Sequence, residues 1–448
     1  MKRDPSALEG REHDVLVIGG GIAGAWVARE ASSRDLSVAL VEIEDFGQAT
    51  SWSSLKTAHG GLRHLQRLDI AGFRESVRER RALLRVAPEI VRPLKFAIGA
   101  PASVDELKFF FGGLVNDILS YDRNEGLRAD RAIGTTRLLD RAQAASLGGA
   151  ALSGVPAFVW EDAQITHTER LVIGLLHAAS GASAVILNRC RLESSTRRGG
   201  GDPSSAADGF EIRATDLASG RSFAFRARSI VNAAGAQLEE VSRVFAQTCS
   251  SPPLIRGVNV VLARDLTPSV AIGARDRGRF LFLVPWLGRS MLGTIYDDGK
   301  GPVDALVSEL MEAGRRAFPW AGIRDEDISV VHSGHVPGAP NGEPIYRSRV
   351  IRHSDPRILS ILTAKYTTAR ATAEAVVDEI GRVLSKPLSP SVSAREELPM
   401  ARPLEGTLSE RIRQAEETEM AMDRRDAIRG RLSEGGRGEE VDSRVAGA

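Results

Sequence analysis

Cysteine is close to absent. Cys190 and Cys249 are the only two in 448 residues and form no C-x-x-C, so neither a disulfide framework nor a cysteine-held metal is expected. No metal site is assigned, and a reducing, cytoplasmic setting fits. Long apolar runs are missing too: beyond the first apolar stretch, which starts at Val15, the longest, Phe280 to Leu287 (FLFLVPWL), is too short to cross a bilayer and contains Pro285. Met1 to Glu12 is polar, without the apolar core of a secretory signal. An excess of one charge sign is also lacking. With 59 Lys and Arg against 58 Asp and Glu the net charge is +1, which gives no whole-chain attraction to nucleic acid or to an anionic membrane. What remains, 42% hydrophobic and 26% charged, is ordinary for a soluble enzyme of two or three packed units.

The chain is organised around Asp14 to Glu42, DVLVIGGGIAGAWVAREASSRDLSVALVE. Asp14 to Ile18 reads as a buried parallel strand, Ile22 to about Ala31 as a helix, and Ser37 to Val41 as a second strand. Between the first two lies G-x-G-x-x-G, formed by Gly19, Gly21 and Gly24. Gly19 permits the tight turn, Gly21 admits a pyrophosphate to the backbone, and Gly24 lets helix and strand touch. The helix start, with Ile22 and Ala23, offers N–H groups and a partial positive charge to phosphate. Glu42, 18 residues past Gly24, is placed to accept from a ribose. Dinucleotide binding follows; flavin and nicotinamide both remain open at this point.

Further on, Asp45 to Leu65 reads as a functional loop with a short helical turn, and Asp69 to Val86 as a helix closed by Pro88 and Pro93. Phe96 to Leu147 is less regular. There Phe109, Phe110 and Phe111 are expected in a buried corner, a peripheral anchor on the inner membrane being the alternative. A helix from Thr168 to Ala179 has Thr168 as its N-cap candidate. Ser194 to Gly209 reads as a flexible hairpin tip. Strands are expected at Val185 to Asn188, Phe210 to Thr215, Ser222 to Ala227 and Ser229 to Ala233. Others follow at Asn259 to Leu262, Arg279 to Val284, Ser290 to Ile295 and Ile358 to Leu362. A helix runs from Ala369 to Leu384, and 411–432 is helix-prone before a polar tail.

The segment ATSWSSLKTAHGGLRHL, Ala49 to Leu65, resembles the S-K-x-x-H-G-G-x-R-Y-L region of FAD-dependent glycerol-3-phosphate dehydrogenases, within the D-amino-acid-oxidase-like flavoproteins. DAQI (Asp162 to Ile165), ERL (Glu169 to Leu171), VNAAG (Val231 to Gly235), VPW (Val284 to Trp286), GT (Gly293-Thr294) and AKYTTAR (Ala364 to Arg370) match in order. The resemblance implies FAD on a doubly wound (Rossmann-like) α/β domain, 13–95 plus 150–250 plus 340–385. It also implies a mainly antiparallel-sheet substrate domain, 96–149 plus 251–339, then a reduced C-terminal helical segment and disordered tail, 386–448.

The same resemblance implies the site. Glu42 and Ile43 would hold the ribose end, and Leu192 the adenine by its backbone. Thr50, Ser51, Ser54 and Leu55 would follow the pyrophosphate and ribityl chain. His59, Gly60 and Gly61 would run under the ring, with Ala233, Ala234 and Gly235 beside the nucleotide. Lys365, Tyr366, Thr367 and Thr368 would bring a helix N-terminus to the ring edge that gains negative charge on reduction. Arg63 matches the arginine that orients an anionic substrate. Three positions depart from the pattern: His64 replaces a tyrosine, Asn259 a histidine, and Val336 the second phosphate arginine. Losing one charge-assisted bond costs roughly 1.5–3 kcal/mol, and His64 and His335 are the neighbours able to compensate or to act as base. The expected reaction is hydride transfer from a small anionic polyol or hydroxy acid to flavin, with quinone or oxygen as acceptor. Amine or amino-acid oxidation, and flavin binding without turnover, stand as alternatives.

Overall fold

Two sheets carry the chain in the computed structural model, which describes residues 1–65, 67–100, 103–199, 208–249, 251–267, 269–363 and 365–399. The first sheet runs Arg349–Arg352, Ile358–Leu362, Ser222–Asn232, Glu12–Ile18, Val38–Val41, Val185–Leu187. Its five inner strands, from Ile358–Leu362 to Val185–Leu187, are parallel. Glu12–Ile18 lies in the middle of them because both its faces are apolar. Val15 and Val17 point into one core with the helices Ile22–Ser32, Thr168–Gly181 and Ala369–Val383. Leu16 and Ile18 point into another, with Phe210, Ile212, Phe223 and Phe225 of an antiparallel arm. This near-continuous apolar run is what a parallel strand covered on both faces requires.

The second sheet is mainly antiparallel. It runs Ile328–Pro337, Leu254–Leu262, Arg289–Asp297, Arg279–Trp286, Val270–Asp276, Val91–Gly99, Ala157–Ile165, Thr57–Ala58. Only the Val270–Asp276 and Val91–Gly99 pairing is parallel among its described strands. Helix Val303–Ala317 covers one face through Leu306, Val307, Leu310 and Met311, a helical stripe of apolar residues. Sheet membership therefore cuts across the domain limits read from the sequence, since Thr57–Ala58, Val91–Gly99 and Ala157–Ile165 all join this sheet.

Several local expectations change. Ser222–Asn232 is one strand rather than two: its first half pairs antiparallel with Gly209–Asp216 and its second half parallel with Glu12–Ile18. No turn residue interrupts RARS, so the strand changes partners without breaking. Thr168 is not an N-cap; His167 precedes the helix without a side-chain cap, and the Thr168 hydroxyl instead accepts from Lys56 Nζ at 2.6 Å. Strand Cys190–Arg198 takes up the start of the expected hairpin tip, whose 200–207 portion lies outside the described residues. The irregular stretch after Phe96 contains a helix, Ser103–Leu119, on which Phe111 is exposed rather than buried. The side chains of Phe109 and Phe110, and the stretch 411–432, also lie outside the described residues. Among the described residues no helix is long and apolar enough to cross a membrane.

One buried ion pair pins the last helix to Ile70–Val86. Arg370 donates two bonds to Glu79, at 2.8 and 2.7 Å, and further bonds to Glu374 and Ser393. Burial pushes the Glu79 carboxyl up against the opposing pull of Arg370. Arg370→Ala strands that carboxylate, so urea denaturation is expected to show a loss of about 3–5 kcal/mol.

Candidate functional site

The glycine turn closes against three segments. Gly19 has φ +105, and a Cβ there would stand 2.7 Å from the Ala233 carbonyl oxygen. A Cβ on Gly24 would lie 1.9 Å from the Gly19 carbonyl oxygen, so only glycine lets helix and strand meet. Gly21 begins the helix without a side-chain cap. Glu42 accepts from Gly20 N at 2.6 Å and Glu44 N at 2.8 Å, and Ser51 Oγ accepts from Ile22 N at 2.9 Å. Ala23 is buried in the first turn, while Ile43 is exposed beside Glu42. The Cys190 amide donates to the Glu42 carbonyl at 2.9 Å, and Leu192 lies two residues past Cys190 on the strand Cys190–Arg198, paired with Ala214. Ala234 is half-buried, and Gly235, at φ +57, has open space where a Cβ would point.

Thr50 and Ser54 tie this loop to Ile328–Pro337. The Thr50 hydroxyl donates to the His335 carbonyl at 2.9 Å and accepts from its amide at 3.0 Å, while His332 Nδ1 is 3.2 Å from the Ser54 carbonyl. Leu55 packs at the edge of an aromatic cluster that includes Phe96 and Trp160. Lys56, buried, donates to the Trp52 carbonyl at 2.8 Å and to Thr168 Oγ1; burial lowers its pKa.

The paired glycines are held from behind by Asp162. It accepts from Gly60 N and Arg80 at 2.6 Å each, and His59 Nδ1 lies 3.0 Å from its other oxygen. Burial alone would raise the Asp162 pKa, but the His59 bond and the Arg80 charge bring it below the usual value. His59 itself stays exposed. Gly61 (φ +95) leads into the short helix Leu62–Leu65, which presents Arg63 outward and buries His64.

A second polar group forms there. Lys365 Nζ is 2.7 Å from His64 Nε2, and His64 Nδ1 is 2.9 Å from Asp69 Oδ2. Arg347 holds Asp69 through both its carboxylate oxygens, keeping that acid well below the usual carboxylate range. An ionised Asp69 accepts a hydrogen bond from Nδ1–H, which leaves Nε2 as acceptor for the lysine. Burial, then the Lys365 charge, lower the His64 pKa. Burial, then the Arg63 charge, bring Lys365 down to about 8. Arg63 donates to the Tyr346 hydroxyl, and the same ring lies 5.2 Å from the Arg63 guanidinium and 5.4 Å from Lys365 Nζ. Beyond them Tyr366 donates to the Thr168 carbonyl at 2.8 Å. Thr367 and Thr368 are buried at the start of Ala369–Val383, a helix with no side-chain cap, and Thr368 Oγ1 has no partner among the described residues.

Arg63, His64 and Lys365 therefore come together, and His59 stands on the neighbouring paired-glycine segment. His335 does not join them: it is exposed, its backbone engaged by Thr50 and its ring facing the Gly299 turn. Asn259 is spent on Thr294, whose hydroxyl donates to it at 2.5 Å, and Val336 pairs with Ile255 in the ladder. Arg256, opposite His335 in the same ladder, is paired with Asp297. Sequence reasoning missed Asp69, Arg347 and Tyr346, which carry no motif; Asp162 sat inside a recognised one without an assigned role.

A parallel sheet with a glycine turn at one strand end, an acid beyond the next strand, and a second uncapped helix start above a lysine define a dinucleotide-dependent oxidoreductase. The chain belongs to the family of FAD dependent oxidoreductases (DAO), matched over residues 14–378. The aerobic glycerol-3-phosphate dehydrogenase of Staphylococcus epidermidis is 28% identical over 407 residues, 86% of this chain and 70% of that protein. Among solved structures, glycerol-3-phosphate dehydrogenase from Bacillus halodurans complexed with FAD has a TM-score of 0.64 at 20% identity, covering 87% of this chain and 68% of that one. Glycine oxidase from Geobacillus kaustophilus has 0.57 at 17%, covering 87% and 99%. The residues suit FAD: the glycine cradle admits no Cβ, Glu42 follows the glycine turn at the end of the next strand, and Thr368 Oγ1 is a buried hydroxyl with no partner among the described residues.

Proposed function

We propose that the protein oxidises a small anionic polyol or hydroxy acid, with Arg63 holding the anion and Lys365 taking the hydroxyl proton. When bound, FAD supplies the hydride acceptor. Support comes chiefly from the Lys365–His64–Asp69 chain beside Arg63. With its pKa near 8, Lys365 is neutral in a useful fraction of molecules at ordinary pH and can accept a proton at Nζ. His64 is too buried to meet substrate directly, so it serves behind the lysine, orienting Nζ while Asp69 fixes the ring's tautomer. Arg63 keeps an exposed guanidinium fork, suited to a carboxylate or phosphate. Electrons leave to quinone or oxygen.

Val336 favours a second reading. With one guanidinium rather than two, and Tyr346 as its neighbour, the anion subsite also suits an amino acid's carboxylate, and C–N oxidation would follow. Arg63→Gln tests the common element. It is expected to raise KM about tenfold or more while kcat falls less, reflecting a lost charge-assisted bond of roughly 1.5–3 kcal/mol. An unchanged KM for every anionic substrate would remove Arg63 from the subsite.

A further inference from the structure

Helix Ile70–Val86 has two working faces. One buries Phe73, Val77 and Leu84. The other, Ala71, Glu75, Arg78, Ala82 and Arg85 at alternating spacings of four and three, lines a cavity of about 720 Å³. The start of Ala369–Val383 supplies a second wall through Arg370, Ala371 and Glu374, and Ala394 and Arg395 complete it. Alanines Ala71, Ala82, Ala371 and Ala394 leave room that longer side chains would fill. Arg63, Tyr346 and Lys365 are not in this lining, so the cavity is separate from the candidate substrate subsite.

The charges around the cavity do not cancel. Arg370 neutralises Glu79 and Glu374, and Arg81 neutralises Glu125. Arg85 donates to the Glu125 and Gly126 carbonyls and, among the described residues, to no acid. Arg78 and Arg395, both exposed, make no ion pair among the described residues. Three guanidiniums without an acid thus share the lining with one carboxylate without a base, that of Glu75. Guanidinium forks suit the several oxygens of a phosphoryl group. Glu75 repels a bare anion but accepts from a hydroxyl, and the volume holds a small molecule that carries both groups. We infer that the cavity binds a hydroxylated organic phosphate, the chemistry shared by nucleotides and sugar phosphates, and is coupled through Arg347 to Asp69. Arg347 lines the same cavity while giving Nε and Nη2 to Asp69, and its Nη1 has no partner among the described residues. A phosphoryl group at Nη1 competes with Asp69 for this guanidinium. Asp69 in turn fixes the His64 ring that meets Lys365, so a ligand in the cavity loosens that chain, and by linkage loosening the chain strengthens the ligand's hold. The binding does not depend on what the candidate site oxidises.

Isothermal titration of the FAD-loaded full chain with AMP and with glucose 6-phosphate tests this, the two probes separating a nucleotide from a sugar source. Binding of at least one is expected, with inorganic phosphate about tenfold weaker or more and glucose inert. Arg78→Gln with Arg395→Gln should weaken binding about tenfold or more through lost charge-assisted bonds. Asp69→Asn should tighten it about fivefold or more, because Arg347 is released to the cavity. Arg63→Gln should change nothing, which separates this site from the proposed substrate subsite. Flavin absorbance and thermal melting report that each variant is folded. Absence of binding by both probes, binding that survives the loss of Arg78 and Arg395, or binding lost with Arg63 overturns the inference. An Asp69→Asn affinity equal to the parent's overturns the coupling.

Discussion

Gly24→Ala is expected to yield a protein that purifies almost without yellow colour. The added Cβ would stand 1.9 Å from the Gly19 carbonyl oxygen and 3.3 Å from Val17 Cγ1. The oxygen is backbone, with no rotamer to yield, so the helix must lift off the strand. That movement opens the turn in which Gly20 N meets Glu42 and Ile22 N meets Ser51. Overpacking of this kind costs about 1–3 kcal/mol, and a backbone collision sits at the upper end. If that strain falls on the cofactor-competent turn, FAD affinity drops by roughly a hundredfold. Flavin absorbance per protein after gel filtration checks it, with Gly301→Ala as control because its Cβ would meet nothing within 4 Å.

Lys365→Met should keep its flavin and lose most of its turnover. The side chain lies between Arg63, the Tyr346 ring and His64 Nε2, so its removal deletes the proton acceptor while leaving the glycine turn untouched. A positioned general base contributes about 10²–10⁴-fold, and the rate of flavin reduction under nitrogen should fall by that factor. The pH profile distinguishes this role from a structural one. Neutral lysine is the active form, so the parent's reduction rate should climb as pH rises through about 8. The variant's residual rate should show no such climb. His64→Gln should retain a climb displaced in pH, because the lysine loses the neighbour that orients it and whose charge balance it shares.

The nucleotide end was legible in the sequence because its requirements are local. A turn needing φ > 0 at Gly19, a helix–strand contact needing no side chain at Gly24, and an acid at a fixed distance all fall within one stretch. Arg63 and Lys365 were reached only through motifs, and nothing in their spacing announces that they meet. Asp69, Arg347 and Tyr346 were invisible because they meet partners far away along the chain, Arg347 and Asp69 being 278 positions apart. His335 was misleading for the opposite reason: it stands beside a recognised position, yet a strand alternates its side chains and turns this ring toward Gly299. In Val91–Gly99, Pro93 suggested a boundary, but the strand continues because Val270–Asp276 pairs with it only from Lys95 to Ile98, beyond the missing amide. Phe111 was expected in a buried corner and is exposed on Ser103–Leu119, because an aromatic triplet says that apolar surface is present, not what covers it.

Anaerobic titration of the yellow protein with small alcohols and amines, each with and without a carboxylate or phosphate, is the most direct test. Bleaching of the flavin by anionic polyols or hydroxy acids, with their uncharged analogues and the amines inert, is the predicted result. Bleaching by amines alone, or by uncharged alcohols as readily as by anionic ones, would contradict it.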